Sequence, residues 1–167
     1  MAPQQGDSLI EVKETDLSYT AGLLDGEGTV SIQVFNYSRY APRKKKKGQG
    51  VYGRKTPTGF ELRVSIDNTY LPLGPWLKDR FGGIVYIHSD KGKNLPLFRW
   101  ILKSEKARMF LLSVFPYLTI KKSQAEIAIS FQEVKNKRTG KSFTPEQRES
   151  LMHFAKVLPI VRKENYV

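Results

Sequence analysis

The stretch Thr20-Ala21-Gly22-Leu23-Leu24-Asp25-Gly26-Glu27-Gly28 decides how the rest of this chain is read. It reads as the end of a short helix. Thr15 is suited to the N-cap, and Asp16 places a negative charge in the first turn, where the helix dipole favours it. Leu17, Leu23 and Leu24 supply apolar surface. Ser18, Gly22 and Gly26 recur every fourth residue, which stacks three small groups along one side of a helix. A glycine inside a helix costs about 1 kcal/mol relative to alanine. Two on one face therefore point to a steric requirement, the close approach of another backbone. Asp25 and Glu27 fall where the helix must stop, among glycines free to adopt unusual dihedrals. From the residues alone two readings stand: an ordinary C-cap flanked by solvated carboxylates, or a site where a carboxylate does chemistry.

Working outward, Thr29 to Tyr37 alternates, with Val30, Ile32 and Val34 on one face and Thr29, Ser31, Gln33, Phe35 and Tyr37 on the other. Period two with β-branched residues predicts a strand covered on one side. Phe60 to Asn68 repeats the pattern, with Leu62, Val64 and Ile66 inward and Glu61, Arg63, Ser65 and Asp67 outward. Between them, residues 38 to 58 hold prolines, glycines and a crowd of cations (Arg39, Arg43, Lys44, Lys45, Lys46, Lys47, Arg54 and Lys55). This predicts a long basic hairpin loop suited to neutralising phosphates. A nuclear-localisation signal is the rival reading.

Pro75, Trp76, Leu77 and Phe81 predict a short helix ended by Gly82-Gly83. A second hairpin follows, Ile84 to His88 and Leu97 to Leu102. Phe98, Trp100 and Leu102 are placed inward, and Arg99, Ile101, Tyr86 and His88 outward. Ser104 is read as the cap of a helix stopped by Pro116. Ser123 and Glu126 form a capping-box pattern for the next helix, although that helix has room to begin earlier. Thr144, Pro145 and Gln147 open a last one. The order is α-β-β-α-β-β-α with further helices, a four-stranded antiparallel sheet with one apolar face under helices and one polar, basic face.

The chain has 167 residues, with 28 Lys plus Arg against 16 Asp plus Glu and a net charge of +12. Its pI is near 9.9. One domain with a real core is expected, with a polyanionic partner, nucleic acid before an anionic membrane. Residues 1–14 read as a flexible tail and 15–167 as the domain. There is no cysteine, so disulfides and Cys-based zinc sites are excluded, and His88 and His153 lie far apart. No apolar run approaches the ~18 residues of a membrane span, and no signal-peptide core precedes the motif. An intracellular protein is expected, in the cytoplasm of a prokaryote or in an organelle.

Ala-Gly-Leu-Leu-Asp-Gly-Glu-Gly resembles the signature of the LAGLIDADG homing endonucleases and their maturase relatives, with Thr20 for the first Leu and Glu27 for the last Asp. The segment Phe115-Pro116-Tyr117-Leu118-Thr119-Ile120-Lys121-Lys122 resembles the family's second recognisable stretch, Pro-aromatic-Leu followed by lysines. The resemblance covers roughly residues 15 to 157, and the predicted αββαββα order, with its curved sheet and C-terminal helices, is the family's own. It implies a site-specific endonuclease making a metal-dependent double-strand break in a long pseudo-palindromic DNA site.

By that resemblance, Glu27 and the Gly26 carbonyl would hold Mg²⁺, with Mn²⁺ or Ca²⁺ able to replace it for binding. Lys121, in competition with Lys122, would be the pocket lysine, and Asn68 the water-positioning amide. No basic residue in 69–74 matches an arginine the family places there. Asp25 would be structural. One motif in a chain of this length implies a homodimer. Ser18, Ala21, Gly22 and Gly26 would form its interface, and two Glu27 carboxylates would meet near the axis. The outward strand residues and the basic loop would contact double-stranded DNA. The rival readings are a maturase that binds intron RNA on the same fold and a non-cleaving basic structural protein.

Overall fold

A computed structural model describes residues 11–36, 58–89, 95–138, 140 and 142–164. The elements run α1 (Glu14–Glu27), β1 (Gly28–Asn36), β2 (Thr58–Asn68), α2 (Leu73–Phe81), β3 (Ile84–His88), β4 (Leu97–Lys103), α3 (Ser104–Val114), a 3-10 turn (Phe115–Tyr117), α4 (Lys122–Asn136) and α5 (Pro145–Glu164). This is the expected α+β order. The strands form one antiparallel sheet in the order β1-β2-β4-β3.

Alternation in sequence becomes two chemically different faces. Val30 lies opposite Val64 and Ile32 opposite Leu62, while Ile66 meets Trp100. Val30, Leu62, Val64, Ile66, Phe98, Trp100 and Leu102 are all buried. Helices α1, α3, α4 and α5 cover that face with Leu24, Ala107, Leu111, Ala128, Phe131 and Leu151. Each fully buried aliphatic or aromatic side chain contributes on the order of 1.5–3 kcal/mol. This face is therefore the main source of stability. Phe110 packs edge-on to both Trp100 and Phe81 with ring centroids 5.2 Å apart, clamping α2 to the sheet. Trp100 also satisfies its indole N–H by donating to the Gly82 carbonyl at 2.8 Å.

The helix ends depart from expectation more than the cores do. Helix α1 begins at Glu14, not after Thr15, and the Lys13 backbone N–H donates to Asp16 Oδ2 at 3.4 Å. It thus starts one residue inside the segment read as a tail. Ser104 is the first residue of α3 rather than its cap, and it carries a positive φ of 50°. Its hydroxyl instead accepts from Lys135 Nζ at 3.1 Å. Helix α4 starts at Lys122, so Ser123 lies inside it. At α5 the expectation holds: Gln147 N–H donates to Thr144 Oγ1 at 3.2 Å, and Thr144 N–H to Gln147 Oε1 at 3.1 Å. Gly82 and Gly83 end α2 with φ of 71° and 89°, but no motif glycine has a positive φ.

Candidate active site

The motif helix delivers its two carboxylates to different environments. Asp25 is buried and Glu27 exposed. The Asp25 carboxylate accepts three backbone N–H groups from the segment that leads into α4. Thr119 N–H reaches Oδ2 at 2.8 Å, Ile120 N–H reaches Oδ2 at 3.1 Å and Lys121 N–H reaches Oδ1 at 2.8 Å. A carboxylate can accept several amides at once, and its charge strengthens each bond; the Lys121 amide is the buried one of the three. In return, the Lys121 ammonium donates to the Asp25 carbonyl. This places a cation at the negative end of α1, which has no basic residue of its own in its last turn.

Lys121 is 2% exposed, so it is not a solvated lysine at a helix start. Lys122, the alternative, is exposed and lies over the Phe115 ring at 5.2 Å. The structure therefore distinguishes the two lysines, and Lys121 is the one joined to the motif.

Glu27 stands at the junction of α1 and β1. Its Oε2 accepts from Asn68 Nδ2 across 41 residues of sequence. Asn68 is itself oriented by the Tyr70 backbone N–H, which donates to its Oδ1 at 2.7 Å. Glu27 and Asn68 are thus brought together at one end of the sheet, where β1 begins and β2 ends. The Tyr70 amide is a positioning group that no side-chain reading of the sequence identifies, because any residue type can supply it.

Among the described residues no cluster of three or more His, Asp or Glu side chains forms a ready cation cage. The donors that are present are an exposed carboxylate at Glu27 and the motif-helix carbonyls beyond Asp25, since the Leu24 carbonyl accepts from Gly28 N–H and the Asp25 carbonyl from Lys121. These are hard oxygens on an open rim. Such a set fits Mg²⁺, which keeps several waters and takes other ligands from substrate phosphates.

Next to this rim lies the outer face of the sheet. Ser31, Gln33, Phe35, Glu61, Arg63, Ser65, Asp67, Tyr86, His88 and Arg99 belong to it by register, all exposed or half-buried. Ile101 shares the face but is 7% exposed, between Ser65 on one side and Ile84 on the other, and so offers little surface to a ligand. The charged groups are paired. Arg63 reaches Glu61 at 3.0 Å, and Lys103 shares that carboxylate at 3.4 Å. Arg99 Nε binds both oxygens of Asp67 at 2.8 and 2.9 Å, and this raises the Arg99 pKa above its usual value. Tyr37, Arg39, Arg43, Lys44 to Lys47, Arg54 and Lys55 lie outside the described residues.

The outer side of α1 is open. A Cβ built on Gly22 or Gly26 meets nothing within 4 Å, and Ser18 is exposed. Ala21 is not part of that open side, being wholly buried in the chain's own core. Tyr19, beside it, packs edge-on to Trp76 at 5.6 Å, and the Arg80 guanidinium covers the same indole at 4.2 Å.

The backbone arrangement has solved counterparts. It superposes on the homing endonuclease I-CvuI, in complex with the I-CreI target, with a TM-score of 0.66 at 12% identity, covering 89% of this chain and 82% of that one. It has the LAGLIDADG homing-endonuclease fold. A second I-CvuI structure holds its own target in the presence of calcium. The fold also matches the archaeal intron-encoded homing endonuclease I-Vdi141I complexed with DNA, with a TM-score of 0.64 at 15% identity over 89% of this chain and 84% of that one. The LAGLIDADG meganuclease I-AabMI, bound to uncleaved DNA, matches with a TM-score of 0.56 at 19% identity. There the match covers 86% of this chain but 44% of the other. No protein-family model and no curated protein matches the sequence.

Proposed function

We propose that this chain is a site-specific DNA endonuclease of the LAGLIDADG homing type, acting as a homodimer on a near-palindromic duplex. The observation that carries the reading is the pairing of Glu27 with Asn68 at the end of the motif helix, on the rim of an open polar sheet face. It agrees with I-CvuI and I-Vdi141I, homing endonucleases of this fold in complex with DNA. A net charge of +12 supplies the long-range attraction to a phosphate backbone. The chain spans most of I-CvuI and I-Vdi141I but about half of I-AabMI.

In the proposed mechanism Glu27 and the Gly26 carbonyl would hold Mg²⁺, with Mn²⁺ or Ca²⁺ serving in its place for binding. Such an ion, when bound, lowers the pKa of a coordinated water and stabilises charge on a phosphoryl oxygen. The protein's part is preorganisation. The Tyr70 amide fixes Asn68, and Asn68 fixes the Glu27 carboxylate, so neither must reorganise when a phosphate arrives. Lys121, held on the Asp25 carbonyl, keeps a positive charge two residues along the backbone from Glu27. That charge offsets the repulsion between a carboxylate and a phosphodiester. Each copy's Glu27 serves one strand.

The test starts by selecting cleavable sites from a randomised DNA library in Mg²⁺. The selected duplex is then offered to the wild type and to Glu27→Gln. The wild type should cut both strands only with a divalent cation. Glu27→Gln, which keeps the shape and loses the charge, should still bind the duplex and leave it intact. Full cutting by the variant would remove Glu27 from the reaction. Cutting by the wild type in chelator would remove the metal.

A further inference from the structure

We infer that Arg99 and Asp67 form a guanine-reading site on the open sheet face, Arg99 contacting the base and Asp67 acting as its positioning residue. This rests on the DNA-binding reading above. The two residues are directly opposite each other on β4 and β2. Asp67 takes the side edge of the guanidinium: Nε donates to both carboxylate oxygens, and Nη2 donates to Oδ2. An arginine has five N–H donors in a rigid plane. With Nε and one Nη2 hydrogen occupied, the far edge keeps a parallel pair of donors, one from Nη1 and one from Nη2. That pair has the spacing of the O6 and N7 acceptors that guanine shows in the major groove. The side chains stay accessible, at 46% for Arg99 and 34% for Asp67.

Two further observations favour a base over a phosphate, and a third places that base along the site. The pair is electrically neutral as a unit, so it has little to attract a backbone phosphate and selects by hydrogen-bond geometry instead. The neighbouring cluster differs: Arg63 and Lys103 share the single carboxylate of Glu61 and retain a net positive charge. Second, an exposed ion pair contributes little to stability, so folding alone gives no reason to hold Arg99 in this fixed orientation. Third, Asp67 immediately precedes Asn68, the partner of Glu27. The guanine read would then lie near the cleaved bond, whereas Arg63 stands four residues further along β2, roughly 13 Å away at strand rise.

The experiment is selection of bound duplexes from a randomised pool in calcium, followed by binding measurements at several salt concentrations, for the wild type, Arg99→Ala, Arg99→Lys and Asp67→Asn. The wild type should enrich guanine at one symmetric position in each half-site. Arg99→Ala should lose that preference, on the order of 10- to 100-fold at that position, with the other positions unchanged. Arg99→Lys keeps the charge without the fork, so it should retain overall affinity but lose the guanine. Asp67→Asn should weaken the preference at the same position and steepen the salt dependence, as a released Arg99 turns to a phosphate. An unchanged guanine in both Arg99 variants would overturn the inference. So would a drop in affinity that is uniform across sequences with a shallower salt slope, the mark of a phosphate contact. If the wild type enriches no sequence at all, the DNA reading itself fails.

Discussion

Asp25 and Glu27 are two residues apart, and the fold uses them in opposite ways. Asp25 is a structural anion: its carboxylate is the acceptor for three amides of the 119–121 segment. Hydrogen bonds to a charged group contribute about 1.5–3 kcal/mol each, and the one from Lys121 is buried, where a donor left unpaired is costly. Asp25→Ala should therefore destabilise the chain by at least about 3 kcal/mol, read as a fall in the urea midpoint. Asp25→Asn, which keeps an acceptor oxygen, should lose less. An Asp25→Ala midpoint equal to wild type would show that water replaces the carboxylate. Glu27→Ala should leave that midpoint within about 0.5 kcal/mol of wild type, as expected of an exposed side chain. The sequence showed both carboxylates and assigned Asp25 a structural role. It did not show what Asp25 binds, because its partners are backbone groups about a hundred residues away that carry no side-chain signature.

At the level of the element, the motif glycines serve two separate purposes. Gly28 begins β1 with an extended backbone, and a Cβ there would lie 2.4 Å from Leu24 Cδ1 and 2.7 Å from the Leu24 carbonyl oxygen. The obstacle includes backbone, which cannot step aside, so Gly28→Ala should disrupt the junction that positions Glu27. The expected result is a loss of stability exceeding about 1 kcal/mol, of the order typical of overpacked sites, measurable by thermal unfolding. Gly22→Ala meets nothing and gains helix propensity, so the monomer should be unharmed or slightly more stable. Sequence spacing identified Gly22 and Gly26 as a small-residue face. It attributed the glycines at the helix end to unusual dihedrals, whereas the reason at Gly28 is steric contact with Leu24. The caps show the same limit. Thr144 and Gln147 satisfy each other locally and were legible. Ser104 was misread because its hydroxyl is taken by Lys135, which tertiary packing brings from α4.

At the scale of the molecule, the described residues include a helix-covered apolar sheet face, an open polar face and the bare side of α1. In the proposed dimer, two α1 helices cross on the Ser18, Gly22 and Gly26 side, and identical half-sites follow from the two-fold axis. Gly22→Leu separates this from monomer effects, because nothing within the chain opposes a side chain there. Sedimentation should show monomer or a loosened dimer, with double-strand cutting abolished and the unfolding midpoint of the monomer retained. A tight, active Gly22→Leu dimer would place the interface elsewhere. The basic segment has its own test. Replacing Lys44 to Lys47 with alanine should weaken binding to every sequence and flatten the salt dependence, by roughly 0.9 in slope for each phosphate no longer neutralised. An unchanged slope would mean that these lysines stay in solvent.

What the sequence determined by itself is what depends on near neighbours. Period-two alternation set the buried residues of β2 and the inner face of β4, because a strand must turn alternate side chains to opposite faces; in β1 it holds at Val30, whereas Ile32 is half-buried and Val34, placed inward by the same pattern, is exposed. The motif order set the element order and the place of Glu27. Tertiary structure decided what depends on register and long-range contact. Strand pairing put Asp67 opposite Arg99 and buried Ile101 between two neighbours on a face its own alternation marks as open. Packing of α1 against the 119–121 segment joined Lys121, and not the adjacent Lys122, to the Asp25 carbonyl and took Ala21 out of the open side. These outcomes are set by free energies of contact between residues distant in sequence, and no local pattern encodes which distant group will arrive.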